Sequence, residues 1–92
     1  MDKEQKEILC ITQEEAAEVV RAISKVFRFG MENEWNDQTN KAHLEEELGD
    51  LKAMMYILEM SGIVSEENIM KAAEAKMEKL AKWSNIDLSV DK

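Results

Sequence analysis

Two short acidic clusters hold the residue types best able to do chemistry. "ITQEEAAEVVRAISK" (11–25) gathers Glu14, Glu15 and Glu18, and "HLEEELGD" (43–50) gathers Glu46, Glu47 and Asp50. Residues three or four apart share a helix face, so Glu15 with Glu18, and Glu47 with Asp50, each present two carboxylates one turn apart. Glu14 with Glu18, and Glu46 with Asp50, are like-charge pairs that cost about 0.2–0.5 kcal/mol where an ion pair would gain as much. Arg21, three residues after Glu18, is the nearest counter-charge. Elsewhere the chain uses the ordinary order, with Asp2 before Lys6 and Glu78 before Lys82. If the two helices pack antiparallel, four carboxylates can converge and raise one another's pKa values. A hard divalent cation removes that conflict, and Mg²⁺ suits oxygen ligands that leave room for water and phosphate. With 20 acidic residues among 92, either cluster alone also reads as a solvated face. The pair is stronger because small residues flank both clusters: Ala16 and Ala17 in one, Gly49 in the other.

Three helices are needed to position these groups. The first is expected from about residue 3 to Arg28, with Ile8, Ile11, Ala16, Val19, Ile23 and Val26 on its apolar stripe and Gly30 as its stop. "MENEWNDQTN" (31–40) is polar and turn-rich and reads as a loop. Thr39 or Asn40 caps a second helix that runs to about Met60, before Ser61-Gly62. Ser65 opens a third that ends near Trp83, and residues 84–92 form a tail without pattern. The second helix carries Leu44, Leu48, Leu51, Met55 and Leu58 on one stripe, and Met54, Tyr56, Ile57 and Met60 extend it almost all round. A helix apolar on every side must be covered on every side, which three helices of this length scarcely manage. The expected architecture is a single all-α domain over residues 1–92, core about 3–83, that forms a homodimer through its second helices. A loose monomer with an exposed Met-rich patch is the alternative.

Composition agrees and excludes other classes. The chain has no proline and only three glycines, and it carries a formal charge of −8. That balance disfavours nucleic-acid grooves and anionic membranes, which need a basic partner surface. The single cysteine, Cys10, makes no internal disulfide and is expected as a buried thiol. Neither a leader pattern nor an 18-residue apolar run occurs, so a soluble cytoplasmic protein is expected. A di-iron bundle requires Glu-x-x-His motifs, and His43 stands four residues before Glu47 instead.

"EEAAE" (14–18) followed by "EELGD" (46–50) resembles the E-E-x-x-E … E-x-x-D signature of the MazG-like all-α nucleoside triphosphate pyrophosphohydrolases. The segment "LEEELGDLKAMMYIL" (44–58) is similar too, and the resemblance spans roughly residues 8–83. It implies that Glu15, Glu18, Glu47 and Asp50 hold Mg²⁺, with Mn²⁺ as a substitute, and that Glu14 and Glu46 stand behind them. It also implies hydrolysis of a nucleoside triphosphate or deoxynucleoside triphosphate to monophosphate and pyrophosphate, by a homodimer or a dimer of dimers. The interval of 28 residues between Glu18 and Glu47 is long for the family. Many members carry a tyrosine four residues after the aspartate; here that position is Met54, and Tyr56 follows two residues later.

For the substrate, Lys25 lies two turns beyond Glu18 on the same face, and Arg28 follows at the helix end. Both can hold phosphates, or simply favour a helix C-terminus. Trp35, Phe29 and Tyr56 can stack on a base or pack, and His43 can touch substrate or water. Lys76, Lys79 and Lys82 read as a solvated face. Two rivals stand beside the main reading: a phosphoribosyl-ATP pyrophosphohydrolase, and a non-catalytic helical dimer that binds a protein partner.

Overall fold

A computed structural model describes residues 1–89 of the chain. Helix α1 spans Lys3–Phe29, a hairpin pairs β1 (Glu34–Trp35) with β2 (Gln38–Thr39), and helices α2 (Asn40–Met60) and α3 (Glu66–Trp83) follow. The expected all-α architecture of three helices is present. Local side-chain signals start and stop each helix. Asp2 accepts from the Gln5 backbone while Gln5 reaches back to the Asp2 N–H, a reciprocal cap that opens α1. Gly30 closes α1 at φ 91°, a backbone conformation that L side chains rarely adopt, with its N–H on the Val26 carbonyl. Thr39, not Asn40, caps α2 by accepting from the Ala42 N–H, and Ser65 caps α3 by accepting from Asn68. At the α2 end, Gly62 N–H reaches Glu59 and Ile63 N–H reaches Leu58, with Gly62 at φ 77°. That double bond turns the chain sharply toward α3.

Segment 31–40, expected as a loop, contains the hairpin. Asn36 and Asp37 both take positive φ, at 55° and 62°, and Glu34 and Trp35 pair with Thr39 and Gln38. Two left-handed residues make the turn whose twist suits a hairpin, and Asn and Asp are the non-glycine residues that tolerate it best. The hairpin folds the α2 start back over the α1 end. Asn40, a buried polar residue, donates from its side-chain amide to the Gly30 carbonyl at 2.9 Å, and its own N–H reaches Asn33 at 3.0 Å. Lys41 N–H adds a bond to Met31 at 2.9 Å. These bonds set α1 and α2 antiparallel.

The seam between α1 and α2 is the core. On α1 the enclosed and half-enclosed positions are 5, 8, 11, 12, 15, 18, 19, 22, 25 and 26, at steps of three and four. Ala22, 1% exposed, is its most buried residue, and Val19 packs beside it. This corrects the expected stripe at two places: Ala16 and Ile23 face outward, and Ala22 takes the inner position. On α2 the matching face is Asn40, His43, Leu44, Glu47, Leu51, Met54 and Leu58. Leu48, Met55, Tyr56 and Met60 point away from the seam and are exposed in the single chain. Cys10 is exposed as well, contrary to the expected buried thiol, because it lies on the α1 face opposite the seam.

Helix α3 leaves the pair. None of its residues is buried, and Met70, Met77 and Trp83 are exposed although Ile69, Ala73, Met77 and Leu80 form an apolar stripe at helical spacing. The chain accordingly has an accessible surface of 7562 Å², against about 5,500 Å² for a compact monomer of its mass. Its radius of gyration is 16.1 Å, where about 12 Å is usual for this length. Among the described residues no helix is long and apolar enough to cross a membrane. Residues 90–92, the end of the expected tail, lie outside the described residues.

The turn makes a direct prediction. Asn40→Ala removes the donor to the Gly30 carbonyl, a loss of about 1–3 kcal/mol for an enclosed polar group. The melting temperature followed by circular dichroism should fall by several degrees. An unchanged midpoint would mean that this amide does not tie α2 to the α1 end.

Candidate metal and substrate site

The carboxylates stand on the inner face of the helix pair. Glu15 and Glu18 occupy α1 positions half-enclosed by the packing of α1 on α2, in register with Val19 and Ala22; Glu47 does the same on α2. A core-facing position normally takes an apolar side chain, so three acids there need a reason. One ligand oxygen each from Glu15, Glu47 and Asp50 lies within 4.8 Å of the others. Glu15 has its pKa raised by partial burial first, and then by the charges of Asp50, Glu47, Glu18 and Glu14. The donor set is all oxygen and all anionic, which is the chemistry that Mg²⁺ or Mn²⁺ takes. The residues present fit such an ion.

Glu18 is near this group without being one of the three. Its carboxylate accepts from the Arg21 guanidinium at 2.5 Å, on the outer edge of the seam. Glu14 and Glu46 are exposed, and Glu14 acts on the cluster through its charge on Glu15. Gly49 has open space where a Cβ would stand, so it brings no close helix approach within this chain.

Beyond the carboxylates, toward the α1 end, lies a cavity of about 350 Å³ lined by Lys25, Arg28, Phe29, Asn33, Trp35 and Asn40. The Lys25 ammonium sits 4.7 Å from the centre of the Trp35 ring, and the Arg28 guanidinium 4.9 Å from that of Phe29. Seven residues from Glu18 to Lys25 make about 10 Å along the helix axis. The cavity therefore begins roughly two turns from the acids. Lys25, Arg28 and Trp35 meet in it as one group. His43 does not line it: its Nε2 lies 3.0 Å from Glu47 Oε2 instead. Tyr56 is apart from both, in a shallow depression with Glu59, Met60 and Glu66. Lys79 and Lys82 line a groove with Trp83 on α3 alone, and Lys76 is exposed.

Sequence reasoning missed Asn33 and the enclosure of Asn40. Both come from the hairpin, whose signal was the Asn36-Asp37 pair.

Residues 3–85 match the MazG nucleotide pyrophosphohydrolase domain family. An all-α helix pair with carboxylates on its seam is the class the fold defines, and the chain belongs to the MazG nucleotide pyrophosphohydrolase family. No curated protein and no solved structure matches it.

The raised pKa of Glu15 fixes a sign. A carboxyl group that holds its proton more tightly in the fold stabilises the folded state below its ordinary value of 4.5, and that contribution is lost as pH rises through the raised value. At pH 7 the repulsion is in full force. Without divalent cations, Glu15→Gln should therefore raise the melting temperature at pH 7, and the gain should vanish near pH 4. A lower melting temperature for Glu15→Gln at pH 7 would show that the Glu15 charge is already compensated in the metal-free chain.

Proposed function

We propose that the protein hydrolyses a nucleoside triphosphate or deoxynucleoside triphosphate to the monophosphate and pyrophosphate, with Mg²⁺ held by Glu15, Glu47 and Asp50 and joined by Glu18. The observation that carries this is the convergence of Glu15, Glu47 and Asp50 oxygens from two helices in a half-enclosed seam. When bound, the ion supplies the positive charge that an acidic protein otherwise lacks for an anionic phosphate chain. Glu18 joins by leaving Arg21, an exposed pairing of small worth. A carboxylate of the cluster accepts a proton from water as that water attacks the α-phosphorus. The bond from the α-phosphorus to the bridging oxygen breaks, and pyrophosphate departs with the electron pair. Lys25 and Arg28 bring two cations to one wall of the cavity, where they meet phosphate oxygens. Trp35 and Phe29 offer ring faces for a base.

The reaction has a distinctive product. In ¹⁸O-enriched water the label should enter the monophosphate, with unlabelled pyrophosphate and no diphosphate. Glu18→Gln and Asp50→Asn should each lower kcat/KM by about a hundredfold or more while the helical circular dichroism persists. Glu4→Gln and Glu74→Gln, outside the cluster, should change little. Release of orthophosphate with a nucleoside diphosphate would refute attack at the α-phosphorus.

The same reading includes a homodimer, or a dimer of dimers. The surface in excess of a compact monomer is about 2,000 Å² per chain, the scale of an obligate interface. The outward face of α2 and the stripe of α3 are the apolar parts of it. Sedimentation should give at least a dimer. Met55→Lys and Met77→Lys place a charge on surface already exposed in the single chain, so they should dissociate it. Leu58→Lys should unfold the protein instead, because Leu58 is buried against the seam. A well-folded monomer of the native sequence would sink this part of the reading.

A further inference from the structure

One polar contact in the seam joins His43 to Glu47. His43 stands on α2 one turn before Glu47, between the cavity at Asn40 and the carboxylate cluster. Its Nε2 lies 3.0 Å from Glu47 Oε2, with His43 24% and Glu47 12% exposed. An ionised carboxylate can only accept, so the ring must carry its proton on Nε2 and donate. Of the three converging acids, Glu47 is the one whose carboxylate has a side-chain hydrogen bond among the described residues.

We propose that His43 is a positioning residue for Glu47: its Nε2–H holds one carboxylate oxygen and leaves the other to the cation. The inference rests on the divalent-cation reading given above. Three physical points support it. Glu47 has three side-chain torsions, and Asp50 and Glu15 repel it, so an untethered Glu47 turns away from the cluster. A hydrogen bond to one Glu47 oxygen opposes that movement without adding a ligand. The i, i+4 spacing on a helix puts the ring over Glu47 with no loop in between, so the restraint is as rigid as the helix itself. Carboxylates that ligate metals are commonly held in this way, and loss of the supporting group weakens binding by about 10–100-fold.

Two variants of similar size separate donor from bulk. His43→Gln keeps an N–H near the position of Nε2; His43→Leu fills the space and donates nothing. Mg²⁺ binding is measured by calorimetric titration of the full-length protein without nucleotide, and by the rise in melting temperature with Mg²⁺. His43→Leu should weaken Mg²⁺ binding by about tenfold or more, and His43→Gln should stay within about threefold of the native protein. At saturating Mg²⁺, the nucleotide KM of both should be native. Equal Mg²⁺ affinity in His43→Leu and the native chain would overturn the assignment, as would a raised nucleotide KM with unchanged Mg²⁺ affinity, which would make His43 a substrate contact. A native protein that takes up no divalent cation would overturn this inference together with the reading it rests on. Should His43→Leu lose its helical signal, the comparison passes to His43→Ala, judged by the same two affinities.

Discussion

Repulsion among acids on a half-enclosed helix face is the constraint on which the rest of the structure depends. A helix seam usually gains stability from apolar contact, and here its middle turns are given to Glu15, Glu18 and Glu47. The arrangement survives because the carboxylates sit between two apolar reaches. Ala22, Val19 and Val26 pack on one side, and Ile8 and Ile11 continue α1 on the other, while Met54 and Leu58 carry α2 past the acids. The acids remain half-enclosed, so water still reaches them and the cost stays bounded.

Each acid is held differently, and that gives the site an internal order. Glu47 is tied by His43, Glu18 is drawn outward by Arg21, and Glu15 carries the strain as a raised pKa. The restraint on Glu47 is within the seam, where solvent screens little. The pull on Glu18 is at the rim, where Arg21 is 70% exposed and the pair has little hold. Three carboxylates thus converge, and the fourth, Glu18, leans toward Arg21. The cationic cavity beyond them reverses the sign of the surface within about two helical turns. An acidic pole and a basic, aromatic-lined pole thus lie along one helix pair.

Much of this was legible in the residues. The helix limits followed from their caps, because Gly30, Thr39, Gly62 and Ser65 each satisfy a specific backbone need. The i, i+3 acids were legible because helical spacing alone puts them on one face. What escaped was set by three-dimensional context. Ala22 and Ile23 are both apolar neighbours, and only the crossing with α2 decides which turns inward. The hairpin was hidden because Asn36-Asp37 lacks the glycine that usually marks such a turn. Cys10 was misplaced because its apolar character was read without the face it occupies. His43 and Arg21 stand at helical spacing from Glu47 and Glu18, yet which of them holds its acid inside the seam depends on burial.

The same division explains the open shape of the chain. Helix α3 has its own caps and an amphipathic pattern, so its limits are set locally. Its apolar stripe has no covering surface in its own chain, because the inner faces of α1 and α2 are already engaged with each other. The Gly62 turn carries α3 away from the seam instead of back across it. If α3 folded back over the carboxylates, it would bury them further, and burial followed by the neighbouring charges is what already raises the Glu15 pKa. Keeping α3 outside leaves the acid cluster open to solvent and leaves apolar surface for contacts beyond the chain. Access to the site and an unfinished core are consequences of one geometric choice.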